Sequence, residues 1–530
     1  MKLCFYGADR CVTGSCHMLV VGDKRILIDC GLQQGQDETD NATLPFHAGE
    51  VDACLVTHAH IDHSGRLPLL LKQGFSGKII TTRLTAQLLD IMLADSAHIQ
   101  ESDAEYHNRK GERAGRARVE PLYTVEDAAR VKQYVCPVEY GEEVTVCEGV
   151  TARFTDAGHL LGSGSVLLTV RENGETRRII FSGDIGNVDQ PIIRDPQTVE
   201  PADFLVMEST YGDRNHEKPK SYTADLAAVI DRTLSRGGNV VIPAFAVGRT
   251  QELLYFIREI KEQGLAPRAG DFPVYIDSPL AQLTTGIFAG DLHGYLDEEA
   301  LALVSTGEDL FRFSSLRMTV SSEESRELNA DTTPKVIISA SGMCDAGRIR
   351  HHLKHNLWRK DSTIVFVGFQ AQGSLGRRLL DGAASVKLFG EEIAVQADVV
   401  NFQGLSSHAD HDHLLDWLRR IGEKPRHVFV VHGDADVAPA FAAELKEMGY
   451  AAHAPLFTEC YDLLSERVER EGVMPKKPKV HRTPADAAYA HLVEMGRKIA
   501  RAIEEAKGRD NKTLNNFARK LQEILEWLER

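Results

Sequence analysis

Val56-Thr57-His58-Ala59-His60-Ile61-Asp62-His63-Ser64-Gly65 sets four metal-capable side chains within six positions, directly behind the apolar run 51–56. The run reads as a buried strand. A tight loop leaving it can aim His58 and His60 to one side and Asp62 and His63 to the other, so one segment can serve two adjacent ions. Neutral imidazoles with a carboxylate suit zinc or a similar first-row divalent cation. A lone histidine is usually a surface or hydrogen-bonded core residue, but four ligand types at this spacing behind a strand read as a metal site.

The cluster needs further ligands, and three other strand ends offer them. Thr155-Asp156-Ala157-Gly158-His159 closes one strand-like run and leads into Gly162-Ser163-Gly164. Phe181-Ser182-Gly183-Asp184-Ile185-Gly186 closes another, and Val431-His432-Gly433-Asp434 a third. Singly each is weak, because a strand-terminal Asp or His often only caps a turn.

The rest of the chain bounds the setting. Its 530 residues are 43% hydrophobic and 26% charged with 19 Pro, the composition of a folded chain of several domains. Apolar runs such as 240–247 fall short of the roughly 18 residues that a bilayer span needs. Asp9 and Arg10 interrupt the N-terminus before a secretory signal can form, so a cytoplasmic location without membrane contact is expected. Nine cysteines without a CxxC pair suit free thiols better than a disulfide framework, and none is taken as a zinc ligand. A net charge of −16 argues against binding polyanions over the whole surface while leaving a local basic groove open.

Strands dominate the first 210 or so residues, with helical spacing over 84–98 and 124–133. From about Ser221, helical stretches (224–235, 251–262) alternate with strand-like ones (239–243, 274–276, 336–339, 363–367), the pattern of a parallel sheet wrapped by helices. Met474-Pro475-Lys476-Lys477-Pro478-Lys479 reads as a linker, and Thr483-Pro484 as a helix start. Leu514, Phe517, Leu521, Ile524 and Leu528 stripe the second helix of a hairpin, packed on the body or used in a homodimer contact.

Over residues 1–470 these motifs resemble the metallo-β-lactamase superfamily, and specifically its β-CASP branch of nucleic-acid-processing nucleases. The superfamily features are Asp29 in Ile28-Asp29-Cys30-Gly31, the His58 to His63 motif, His159 and Asp184, in that order. The branch's own are Met207-Glu208-Ser209-Thr210-Tyr211-Gly212, Ser406-Ser407-His408-Ala409-Asp410 and Val431-His432-Gly433. Three further stretches look family-like: Pro243-Ala244-Phe245-Ala246-Val247-Gly248-Arg249, Ser339-Ala340-Ser341-Gly342-Met343, and the run from Gly368 to Arg377. The nearest likeness is to prokaryotic members related to the nuclease subunit of the eukaryotic pre-mRNA cleavage machinery. The resemblance implies an α/β chain. An αββα sandwich would comprise 1–208 and 395–470, with a parallel-sheet β-CASP insert at 209–394 and the active site in the cleft between them. Residues 471–530, the linker and helical hairpin, fall outside it.

The same resemblance implies the roles. His58, His60 and His159 would hold one Zn2+, Asp62, His63 and His432 a second, and Asp184 would bridge the two. His408 is the implied general acid, suited to it because imidazole titrates near neutrality, with Glu208 orienting it. Asp29 would shape the His58 to His63 loop. For substrate contact, 347–360 holds Arg348, Arg350, Lys354, Arg359 and Lys360 with no acidic residue, and a solvated helix face is the plain alternative. Ser341, Gly342, Arg249 and Arg377 are further phosphate-binding candidates, and Lys476, Lys477 and Lys479 would add salt-sensitive attraction. The implied activity is a two-zinc ribonuclease acting on single-stranded RNA, as endonuclease, 5′-to-3′ exonuclease or both, leaving 5′-phosphate and 3′-hydroxyl ends. Two alternatives stand beside it. A hydrolase of small thioesters, lactones or lactams has no use for the insert or His408, and a non-catalytic RNA-binding scaffold has no need of seven filled ligand positions.

Overall fold

The computed structural model describes all residues except 36–37, 113–114, 116, 217–220, 369, 371–372, 403, 475–494, 496–498, 500–502, 504–510 and 529–530. Residues 1–476 form one unit and 477–530 another.

Within the first unit two sheets face each other. One has eight strands in the order Arg467–Arg470, Cys460–Asp462, Lys2–Phe5, His17–Val21, Lys24–Ile28, Ala53–Leu55, Lys78–Thr82 and Val135–Val138. The other has seven: Ala452–His453, His427–Val431, Phe204–Glu208, Glu175–Phe181, Gly164–Glu172, Val150–Asp156 and Glu143–Cys147. Because side chains alternate across a strand, each ladder divides its apolar residues between two cores. Leu3, Phe5, Leu19, Ile26, Ile28 and Leu55 point inward and meet Phe154, Leu168, Phe181, Phe204 and Phe429 of the opposing sheet. Cys4, Met18, Leu27, Cys54 and Ile79 point outward to Leu70, Leu84, Leu88 and Leu93, on helices that cover the first sheet. Ile180, Leu205, Val428 and Val430 do the same for the second sheet, under Leu414, Trp417 and Leu418 of His411–Arg420 and Phe441 of Val437–Glu447. The result is an αββα sandwich.

A third sheet is wholly parallel, in the order Leu316–Met318, Val274–Ile276, Val336–Ser339, Val240–Pro243, Thr363–Phe366 and Asp398–Asn401. Helices on both faces explain why its central strands read as unbroken apolar runs. Val240 and Ile242 face Tyr222–Ser235 and Arg249–Glu262, while Val241, Ile364 and Phe366 face Ile349–Asn356 and Leu375–Leu380. Its edge strand Asp398–Asn401 pairs with Thr363–Phe366, so this sheet runs past residue 394, where the insert was expected to end.

Other elements differ from the sequence reading in instructive ways. The helix expected over 84–98 runs from Arg83 to Glu112, continuing past the buried stripe Leu84, Leu88, Leu89, Leu93 and Ala97. Thr124 caps Val125–Val131 through a reciprocal capping box with Asp127. Cys4 and Cys460 form a disulfide, correcting the expectation of free thiols: two strands far apart in the chain lie side by side in the eight-stranded sheet, and these two residues face each other with Cα atoms 4.1 Å apart. Cys16, Cys30, Cys54, Cys136, Cys147 and Cys344 are free thiols.

Of the second unit, Asn511–Leu528 is helical, with Leu514, Phe517 and Leu521 half-buried. Lys476, Lys477, Lys479 and the Thr483-Pro484 helix start lie outside the described residues. Among the described residues no helix is long and apolar enough to cross a membrane.

Phe429 is fully buried between Phe5, Phe204 and Tyr461 at ring separations of 5.2, 6.5 and 5.0 Å. Its replacement by Ala is expected to cost about 3–5 kcal/mol of stability, measured by urea unfolding. A cost under ~1 kcal/mol would show that the two sheets do not share this core.

Candidate metal centre

Four strand ends and one loop converge at one edge of the sandwich. The first is the loop after Ala53–Leu55, which is held from behind by the segment after Lys24–Ile28. Asp29, with φ 59°, accepts from the Thr57 N–H at 2.8 Å, from Ser15 Oγ at 3.1 Å and from His63 Nδ1 at 2.7 Å. Cys30 N–H donates to His63 O and Ser15 N–H to Asp62 O, each at 2.8 Å. Contact at this spacing requires glycine next door: a Cβ on Gly31 would lie 1.6 Å from Asp62 O.

The loop after Val150–Asp156 presents His159. Its N–H donates to Ser163 Oγ at 3.1 Å, and its Nδ1 lies 3.1 Å from Ser407 O. Asp184 follows Glu175–Phe181, and Gly186 beyond it passes so close to the His159 loop that a Cβ would sit 1.8 Å from Gly158 O. His432 ends His427–Val431 with φ 49°, a left-handed conformation that histidine tolerates better than most residues. Its N–H donates to Ala8 O at 2.7 Å, and Thr210 Oγ1 is 3.1 Å from its Nδ1.

Ligand-type atoms thus gather in two adjoining groups, each spanning less than 4.8 Å: His58, His60, His159 and Asp184, then Asp62, His63 and His432. Asp184 faces both. Its Oδ2 is 3.5 and 3.6 Å from Nε2 of His58 and His159, and its Oδ1 is 3.1 and 3.6 Å from Nε2 of His63 and His432. The donor set fits divalent cations on two counts. Imidazole nitrogens confront one another at 3.1 Å (His58 with His60) and 3.2 Å (His63 with His432), and the buried Asp184 Oδ1 has no hydrogen-bond partner. Cations between these atoms would satisfy both.

The electrostatics differ between the two groups: burial opposes charge on His63 and His432, but Asp184, with Asp29 beside His63 and Asp62 beside His432, outweighs it and raises both. Burial, reinforced by neighbouring histidines, holds His58 and His159 well below the usual imidazole range, so they are neutral as ligation requires. Burial opposes charge on Asp184 as well, but His432, His63 and His58 outweigh it and keep the carboxyl well below its ordinary value. Asp62 is likewise lowered to about 2: burial again opposes ionisation, and His432 and His63 prevail.

Beside Asp184 lies a third group. His408 Nε2 is 3.9 Å from Asp184 Oδ2, and His408 Nδ1 is 3.2 Å from Glu208 Oε1. The Glu208 carboxylate is fully buried and accepts from the N–H groups of Ile185 at 2.6 Å and Thr210 at 3.2 Å. Burial disfavours the charged His408 ring, but Glu208, then Asp184 and Asp62, raise it to about 9. Thr57, Thr210, Ser407 and His216, whose Nε2 lies 2.9 Å from His408 O, buttress these side chains. None was singled out in the sequence. Thr57, Thr210 and Ser407 lie inside the quoted motifs without an assigned role, and His216 carries no signal in the sequence.

The expected substrate-contact residues are placed differently. Arg348 directs its guanidinium at the fully buried Asp277, 2.7 Å away, where His352 also donates at 2.6 Å. Arg249 is buried in an ion pair with Glu252. Arg377 pairs with Asp381 at 2.8 Å, Lys354 with Glu391 at 2.6 Å and Arg359 with Asp361 at 3.0 Å. Within the stretch that looked uniformly basic, Arg348, Lys354 and Arg359 are therefore each paired with an acid. Ser341 is half-buried, and Gly342 is buried beneath the ring of Phe245.

Three family models match the chain: a beta-lactamase superfamily domain over residues 24–236, a Beta-Casp domain over 250–379, and a Zn-dependent metallo-hydrolase RNA specificity domain over 392–455. A Thermus thermophilus protein named Ribonuclease TTHA0252 is 38% identical over 460 residues, 87% of this chain and 99% of that protein. The transcription termination factor FttA of Methanosarcina mazei is 30% identical over 83% of this chain and 68% of its own length. An RNase J-like protein of Methanocaldococcus jannaschii is 29% identical over 83% of this chain and 94% of its own.

Asp29→Asn leaves the His63 Nδ1–H facing an uncharged amide, and zinc affinity is expected to fall about 10–100-fold in a calorimetric titration. Parental affinity would show that Asp29 does not orient His63.

Proposed function

The chain belongs to the β-CASP branch of the metallo-β-lactamase superfamily, and on that premise we propose that it is a two-zinc ribonuclease hydrolysing phosphodiester bonds of single-stranded RNA. The observation that carries the reading is Asp184, a buried carboxylate with one oxygen turned to each group of imidazoles and His408 beside it. The match of the RNA specificity domain, which spans His408 and His432, favours RNA over a small thioester or lactam.

Held by His58, His60 and His159 on one side and Asp62, His63 and His432 on the other, with Asp184 between, two zinc ions would supply Lewis acidity toward a phosphoryl oxygen and a water of lowered pKa. The remaining chemistry falls to the chain. The leaving 3′ oxygen needs a proton, and His408 is the group that can deliver it. Its Nδ1–H is tied to Glu208, which leaves Nε2 toward Asp184 and the substrate. Glu208 is itself fixed by two backbone N–H donors, so the ring cannot rotate without breaking a buried charged contact. The Ser407 carbonyl ties the His408 loop to His159, so the acid and a ligand shift together. Displacement followed by proton delivery at the 3′ oxygen leaves 5′-phosphate and 3′-hydroxyl ends.

His408→Ala is expected to lower turnover on end-labelled RNA about 10²–10⁴-fold while keeping its bound zinc, whereas Asp184→Ala loses both. A chelator should abolish cleavage, and paired substrates with 5′-phosphate or 5′-hydroxyl ends report the end preference. A fully active His408→Ala protein would refute the acid assignment. A purified parent that binds zinc and leaves every RNA intact would refute the function.

A further inference from the structure

In an open parallel sheet, ligands bind at the carboxyl ends of the strands, where the strand order reverses. The third sheet builds such an edge. Val240–Pro243 lies between Val336–Ser339 and Thr363–Phe366, and two of the family-like stretches, those that begin at Pro243 and Ser339, are the loops leaving two of these strands. The first loop is anchored. Ala244, Ala246 and Val247 are buried, Ala244 N–H donates to Ser339 O at 3.1 Å, and Thr250 donates to Phe245 O from both its N–H (3.2 Å) and its hydroxyl (2.8 Å). In the middle of this buried loop one side chain turns outward: Phe245 is 46% exposed.

An apolar residue exposed singly is ordinary on a protein surface, so its position has to decide. One edge of the ring lies against Gly342, where a Cβ would be 3.1 Å from the ring carbons. At the other end of the loop, a Cβ on Gly248 would be 3.3 Å from Leu160 Cδ1, and Leu160 follows His159 of the metal centre. The loop therefore links the carboxyl edge of the third sheet to the ligand loop of the sandwich. An aromatic ring held rigidly by its backbone, with half its surface free, is what base stacking needs, and stacking serves any sequence because every base has a π-face.

We infer that Phe245 is a nucleobase platform, on which a base close to the scissile phosphate stacks as the RNA strand passes between the third sheet and the metal centre. The inference rests on the ribonuclease reading above and adds to it a specific subsite. Stacking places the strand in the cleft without reading its sequence, which suits an acidic protein whose cations in the 347–360 stretch are mostly paired internally.

The test uses the full-length zinc-loaded protein and single-stranded RNAs carrying one abasic nucleotide, moved stepwise across the cleavage position. In the parent, removing one particular base is expected to raise KM about tenfold. Phe245→Ala is expected to raise KM for intact RNA by a similar factor and to lose the penalty for the abasic site, while Phe245→Trp restores both. Zinc content and thermal unfolding report that each variant is folded. If the parent shows no position at which base removal raises KM, or if Phe245→Ala still feels the abasic site, the platform is overturned while the ribonuclease reading stands. If the parent cleaves no RNA at all, the ribonuclease reading itself fails.

Discussion

A carboxylate buried among histidines, with one oxygen turned to each of two groups, is the constraint the rest of this molecule satisfies. Asp184 can sit there only if its charge is answered from both sides, because an isolated buried carboxylate would take up a proton instead. His58 and His159 flank one oxygen, and His63 and His432 the other. Those partners come from strand ends far apart in the chain, so the site exists only when both sheets of the sandwich are in register.

The two-sheet core meets that demand mechanically. Each strand that feeds the centre is paired along its length and packed on at least one apolar face, so its terminal residue is held by the whole ladder. A second layer of polar contacts then fixes ring orientation: Asp29 on His63, Ser407 on His159, Thr210 on His432 and Glu208 on His408. Backbone conformation contributes too. Asp29 and His432 both occupy the left-handed region, and Gly31 and Gly186 permit approaches that no side chain would allow.

Charge in the third-sheet region follows a different logic. Counting along the chain, 347–360 is purely basic, yet Asp277, Glu391 and Asp361 pair with Arg348, Lys354 and Arg359. Asp277 collects Arg348, His352, Ser325 and Thr319 around one buried carboxylate, and that network braces the end of the sheet beneath the Ser341 loop. An arginine in a promising motif thus serves as a strut. A net charge of −16 does not supply a broad positive field, so contact with RNA has to be local.

Local chemistry was legible without coordinates. Four ligand-type residues within six positions behind an apolar run, apolar stretches of strand length, and the alternation of helix and strand after Ser221 all reflect short-range rules of periodicity and spacing. Only the tertiary structure decided what depends on distant partners. It turned Arg348 to the buried Asp277, set Cys4 beside Cys460, extended the third sheet to Asp398–Asn401, and brought His216 to His408. The physical reason is common to all four. A contact between residues tens or hundreds of positions apart leaves no periodic trace in either segment, because only the packing of whole sheets brings the two together.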